Sequence, residues 1–247
     1  MAQQKHNLII SGMLILLFVG VSSGLAKTGT DNVRLFQSYF LDAPIAKTHH
    51  IQPGLSYAIG ENTNILTLGA NGGFAASNKL EILAGLNYIN EKTEGLAAQD
   101  SLSDMALYAR YKLSKSKDTQ LAAGGIITLP IGSEDVGEGN FNFGAYSAVR
   151  HHLKGGMVIT GNLALMFYDA GDKHESSVEI GGGAIYPVDR QLSLIGELNI
   201  QSETDFMMIS GGVDYNMGGG HIRGAIGIGL DDGAPDFKII GGYLLSF

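Results

Sequence analysis

Apolar and polar residues alternate one by one along most of this 247-residue chain. In Lys79–Tyr88 the residues Leu80, Ile82, Ala84, Leu86 and Tyr88 share one face, opposite Lys79, Glu81, Gly85 and Asn87. Gln191–Ile200 repeats the pattern, with Leu192, Leu194, Leu198 and Ile200 against Gln191, Ser193, Glu197 and Asn199. A period of two is the signature of a strand with one oily face. The pattern predicts twelve strands: 50–59, 64–74, 79–90, 102–113, 119–129, 140–150, 156–168, 176–186, 190–201, 205–216, 221–230 and 237–247. Each is near the ~9–11 residues a tilted strand needs to cross a bilayer. Beyond the N-terminal leader, no run of twenty apolar residues offers a spanning helix.

Twelve half-oily strands can bury their apolar faces in a sandwich or turn them outward around a cylinder. The aromatic residues favour the cylinder. Tyr88, Phe141, Phe167 and Phe237 fall at one end of their strands, and Phe74, Tyr111, Tyr186, Tyr215 and Phe247 at the other. Two girdles at interfacial depth suit a lipid-facing wall, and a sandwich has no reason to sort rings by depth. Connections alternate too: 90–100, 130–139, 169–175 and 231–236 are longer and acidic, while 77–78, 114–118, 151–155, 187–189 and 217–220 are short. The expected fold is all-β, a twelve-stranded antiparallel transmembrane β-barrel with short periplasmic turns and longer extracellular loops. Closure is compulsory, because an open edge in hydrocarbon leaves backbone groups unpaired. The 36 glycines read as residues that ease the curvature of a closed sheet.

The N-terminus carries an address. Lys5 precedes an apolar run from Leu8 to Val21, and Ser22-Ser-Gly-Leu-Ala26 closes it with small residues. This predicts a cleaved signal peptide over 1–26, against a retained anchor, for which the run is short. Because the last strand should end on the periplasmic side, counting back twelve strands puts residue 48 there too. Residues 27–47 are then a periplasmic extension or a plug segment, and 48–247 the outer-membrane barrel.

Composition removes other classes. With no Cys there are no disulfides, thiolate metal sites or Cys nucleophiles. With 24 acids against 16 Lys and Arg, the charge does not suit nucleic acid. No helical His-x-x-x-His and no Gly-x-Ser-x-Gly is present. In the doublets His49-His50 and His151-His152 neighbours point to opposite faces, so neither chelates one metal. The glycine runs lack the Lys-Ser/Thr of a phosphate loop. No catalytic residue, cofactor or metal is expected. The acid-rich loops read as a solvated surface, with divalent-cation binding beside lipopolysaccharide as the alternative; none has the spacing of an EF-hand loop.

The blocks Leu55-Ser-Tyr-Ala-Ile-Gly60, Leu80–Tyr88, Ser101-Leu-Ser-Asp-Met-Ala-Leu-Tyr-Ala-Arg-Tyr-Lys-Leu113 and Ile126-Ile-Thr-Leu-Pro-Ile-Gly132 resemble the outer-membrane proteins of the meta-pathway of phenol degradation family. The chain departs from that family in having Leu102-Ser103 where a Gly is common before the Asp. The ending Ile239–Phe247 resembles the terminal signal of outer-membrane barrels, which implies recognition by the barrel-assembly machinery through the strand ending at Phe247. The resemblance covers roughly 50–247. It implies a role in moving small, often aromatic, molecules, with outer-membrane lipid and lipopolysaccharide as the surroundings.

The polar face should line the interior. Its charged members are Glu81, Arg110, Lys112, Arg150, Glu179, Glu197, Asp214, Arg223 and Lys238, all but Lys112 being candidate lumen or selectivity residues. Hairpin registry sets Glu81 opposite Arg110 and Asp214 near Arg223, as charge-satisfying pairs. Folding about Pro187–Arg190 sets Glu179 close to Glu197, two inward acids that would favour a cation. Ile127, Ile195, Met166 and Met208 should add apolar patches to the lumen. The function expected is a channel or passive transporter for small, partly hydrophobic solutes. The alternatives are a non-conducting structural or adhesive barrel and a lipid-modifying barrel enzyme.

Overall fold

The computed structural model describes residues 30–133, 139–169 and 174–247; the leader expected over 1–26 lies outside them. The strands are β1 (His50–Ile59), β2 (Thr63–Ala75), β3 (Leu80–Thr93), β4 (Gln99–Leu102), β5 (Met105–Lys115), β6 (Thr119–Leu129), β7 (Asn142–His152), β8 (Val158–Asp169), β9 (His174–Pro187), β10 (Leu192–Gln201), β11 (Phe206–Asn216), β12 (Gly220–Gly229) and β13 (Phe237–Ser246). All pairings are antiparallel, and every strand except β4 and β5 lies beside its neighbours in sequence. β13 pairs with β1, and β2 with β3, so the sheet closes on itself. Both β4 and β5 pair with the same edge of β3, one above the other. They form a single stave broken at Ser103-Asp104, which leaves twelve spanning strands.

The break joins two of the sequence blocks quoted above. The Asp104 carboxylate accepts the Gly132 N–H at 2.9 Å, and a Cβ on Gly132 would lie 2.6 Å from the Leu102 carbonyl. The Ser-Asp motif and the Leu-Pro-x-Gly motif therefore meet as one knot at the long-loop end. In place of the expected loop 90–100, β3 continues to Thr93 and turns back through Gly95, whose φ is +79°. Thr63 and Thr93 hydroxyls lie 3.1 Å apart across that extension.

Alternation along β10 shows how the wall works. Ser193, Ile195, Glu197 and Asn199 point in and are buried, whereas Leu194 and Leu198 point out, 39 % and 41 % exposed. Seven of the nine girdle aromatics, all but Tyr186 and Phe237, are exposed on the outer face. Those two are half-buried and share that face with their register partners Leu194 and Ile59. Phe143, stacked on Phe167 at 5.3 Å, joins the girdle. One inward expectation is wrong: Ile127 points out, and its neighbour Ile126 is the buried residue. Ala122, Gly124 and Ile126 share the inward face of β6, and the even positions keep that face to the end of the strand.

Residues 30–47 form no strand. A 3₁₀ turn at Thr30–Asn32 leads into irregular chain, and Val33, Leu35, Tyr39 and Ala43 are buried within the cylinder.

Candidate functional site

The candidate site is the lumen. A segment without regular structure inside a barrel has backbone groups that no ladder pairs, and each costs free energy if left alone. Here the wall's charged side chains take those groups. Arg110, on β5, is fully buried. It bridges Glu81 of β3 at 2.9 Å and donates to the Pro44 carbonyl at 2.7 Å and the Phe40 carbonyl at 2.6 Å. Arg223, on β12, bridges Asp214 of β11 at 2.9 Å and donates to the carbonyls of Arg34 and Leu35. Its guanidinium also lies over the Phe36 ring, 4.7 Å from the centroid, where the ring's negative face meets the cation. Arg150, on β7, bonds Asp42 of the segment and donates to the Val33 carbonyl at 2.8 Å and the Thr30 carbonyl at 3.2 Å. Arginine suits this work because its fork offers five donors in fixed directions.

Glu197 performs the opposite task. Oε2 accepts the N–H groups of Phe36 and Gln37 at 2.8 and 3.0 Å, and Oε1 accepts that of Ser38 at 2.7 Å. Three consecutive amides thus converge on one carboxylate, an anion held in a backbone nest. Asn199 donates to the same Oε1 at 2.9 Å, and its own Oδ1 accepts the Ser38 hydroxyl. Lys238 reaches the Gln37 side chain at 3.3 Å.

Glycines in the wall make room for the segment. A Cβ on Gly85 would lie 2.9 Å from the Phe40 ring, on Gly183 2.9 Å from Leu35, on Gly212 2.6 Å from Phe36 and on Gly181 2.3 Å from the Ser38 hydroxyl. Phe40, seated over Gly85, stacks on Tyr108 of the wall with 4.5 Å between centroids.

Glu81 with Arg110, and Asp214 with Arg223, are register partners in direct contact. The close approach of Glu179 and Glu197 is corrected. Glu197 pairs with Gly183 and Glu179 with Gln201, four positions apart, or about 13 Å along a strand. Pro187 is the last residue of β9, not part of the turn. The turn forms two residues later, where Asp189 Oδ1 accepts the N–H of Gln191 at 2.7 Å and of Leu192 at 2.8 Å. Those two bonds hold the Asp189 carboxyl below its usual range. Glu179 instead faces Tyr168, whose hydroxyl lies 3.4 Å away. His49 and His50 diverge as expected of neighbours: His49 stacks on Phe74 outside, and His50 lies 3.7 Å from Glu81 inside.

Sequence reasoning missed Asp42, Thr160 and Gln120. Asp42 is fully buried; it accepts the Thr160 hydroxyl at 2.8 Å besides its contact with Arg150, while Gln120 donates to the Ala43 carbonyl at 2.9 Å. A signal existed. Asp42 is the one acid between Asp31 and Glu61, and the register partners of Arg150 are Gln120 and Thr160, neither of them an acid. A wall base without a wall acid requires a partner from elsewhere.

The fold has solved counterparts. An outer-membrane channel from Pseudomonas putida F1 superposes with a TM-score of 0.71 over 87 % of this chain and 100 % of its own, at 12 % identity. The KdgM porin superposes at 0.57 over 79 % of this chain and 99 % of its own, also at 12 % identity. The P. putida toluene transporter TodX does so at 0.52 over 82 % and 91 %, at 10 % identity. This is a likeness of fold. No protein-family model matches the chain, and no curated protein matches its sequence.

Proposed function

We propose that the protein is an outer-membrane channel for small solutes, closed in the form described by its own residues 30–47. The observation that carries this reading is the contrast between wall and filling. The wall is a complete cylinder, apolar outside and lined with ionisable groups inside, and the material in its lumen belongs to a segment outside the sheet. That segment is held by side chains, which can let go one at a time, and no strand pairing is lost when it moves. The resemblance to the meta-pathway of phenol degradation family, and a similar fold in a toluene transporter, support small aromatic or partly hydrophobic solutes. Buried apolar wall residues such as Tyr146, Ile126, Met166 and Met208 agree with that. In this reading solutes pass down their gradients. The short-turn end is assigned to the periplasm, and the strand ending at Phe247 to recognition by the assembly machinery.

A second reading is a non-conducting structural barrel, and the depth to which residues 33–43 fill the lumen favours it. Planar-bilayer recordings separate the two. The channel reading expects discrete conductance steps from the refolded full-length protein, with open events at least several-fold more frequent in Glu197→Ala. If neither protein conducts, the non-conducting barrel is the better account.

A further inference from the structure

The three lumenal arginines differ in one respect. Arg110 and Arg223 each have an acid on the wall itself, Glu81 and Asp214. Among the described residues, the carboxylate that Arg150 meets is Asp42, and it belongs to the inserted segment. When the segment withdraws, the first two arginines keep their counter-ions and Arg150 does not. A cation left unpaired in a narrow lumen draws in an anion.

The surroundings of Arg150 are built for a carboxylate. Asp42 places Oδ2 on Arg150 and Oδ1 on the Thr160 hydroxyl, with the Ala43 N–H also on Oδ1 at 2.8 Å. Arg150 and Thr160 are register partners on adjacent strands, so the backbone fixes their spacing. Two donors remain unpartnered nearby: Arg150 Nε, and Nδ2 of Asn162, one inward position further along β8, whose Oδ1, an acceptor, is also buried with no partner among the described residues. Asn162 is itself only 7 % exposed. On the long-loop side the wall turns apolar, where Ala122, Ile126, Tyr146, Ala148, Ala164 and Met166 form one cluster. Ala43 belongs to that cluster and Leu41 packs against it. The tripeptide Leu41-Asp42-Ala43 therefore presents the wall with a carboxylate flanked by oily groups.

We propose that Arg150, Thr160 and Asn162 form a carboxylate-binding site of the lumen, that Asp42 occupies it as an internal ligand, and that its external ligands are small monocarboxylates with an apolar body. Binding of such an acid and seating of the segment are mutually exclusive. Identifying these acids as transported solutes rests on the channel reading; their binding does not.

The test is isothermal titration of benzoate into refolded full-length protein. Asp42→Ala should bind benzoate at least tenfold more tightly than the unaltered protein, because the internal competitor is gone. Benzyl alcohol, with the same ring and no charge, should show no such gain. Adding Arg150→Gln to Asp42→Ala should abolish the gain, and adding Thr160→Val should reduce it. Asp42→Asn keeps the side-chain volume and should show a smaller gain with the same ligand order, which covers failure of the alanine variant to refold. Equal benzoate affinity with and without Asp42 overturns the proposal. So does an equal gain for benzyl alcohol, which would mean an oily void without a carboxylate site. Bilayer recordings of the same samples separate the two readings. Binding without conductance keeps the site and removes the channel; conductance without benzoate binding or current block keeps the channel and removes the site.

Discussion

The wall and the segment it encloses solve one problem in two ways. Every peptide group at membrane depth needs a partner. In the wall, each strand pairs with the next and the sheet closes, so main chain satisfies main chain. In residues 30–47 side chains take over: Arg110, Arg150 and Arg223 collect carbonyls, and Glu197 collects three amides. The difference teaches what lumenal charges are for in this molecule. They read in the sequence as selectivity residues; in this form they act as the hydrogen-bonding scaffold of an irregular chain. The wall should be cooperative and slow to open, and the segment should detach piecemeal.

Substitutions on either side should separate the two. A charge on the lipid face of β10 at mid-depth should have the largest effect. The position is Leu198, which is 41 % exposed and pairs with Gly182, between the girdle levels of Tyr186 and Phe167. Leu198→Arg is expected to cost about 2–4 kcal/mol, read as a lowered urea midpoint of the barrel in vesicles. Glu197→Ala leaves every ladder bond in place and removes the acceptor of three amides. Bonds to charged groups contribute roughly 1.5–3 kcal/mol each, so hydrogen exchange at Phe36, Gln37 and Ser38 should accelerate at least tenfold while the strand amides stay protected. Equal acceleration in both regions would mean that wall and segment open as one unit. Asp189→Ala should have the smallest effect and touch the wall alone. The carboxyl is held below its ordinary value of 3.8 by the turn amides. Its contribution is therefore present above that pH and is lost as pH falls through the depressed value. The urea midpoints of variant and unaltered protein should differ at pH 6 and converge as the pH falls through that depressed value.

Much of the wall was legible because its physics is local. A two-residue period needs only neighbouring positions, and strand ends fell within a few residues of expectation across the barrel. The pairs Glu81–Arg110 and Asp214–Arg223 were legible because each flanks a connection whose centre the sequence marks well. Glu179–Glu197 was misread because Pro187 looks like a turn residue and is a strand end; the real turn is set by Asp189, whose bonds to the amides of Gln191 and Leu192 no periodicity reveals. The seating of residues 30–47 was illegible for a deeper reason. It has no period, and its contacts join positions as far apart as Arg34 and Arg223. Asp42 and Thr160 stand 118 positions apart in sequence, and only the closed cylinder brings them together.

The wall glycines that seat Leu35, Phe36, Ser38 and Phe40 tie two stretches of the gene to each other. A relative carrying alanine or larger in place of Gly85 should have a trimmed residue at the position of Phe40, and a bulkier residue there should demand glycine opposite; at Gly183 the wall's own Gly196 carbonyl, 2.3 Å from a Cβ, already requires glycine. Drift at Phe40 is thus policed by a strand encoded well downstream, and the matched pair should surface as correlated substitutions among relatives.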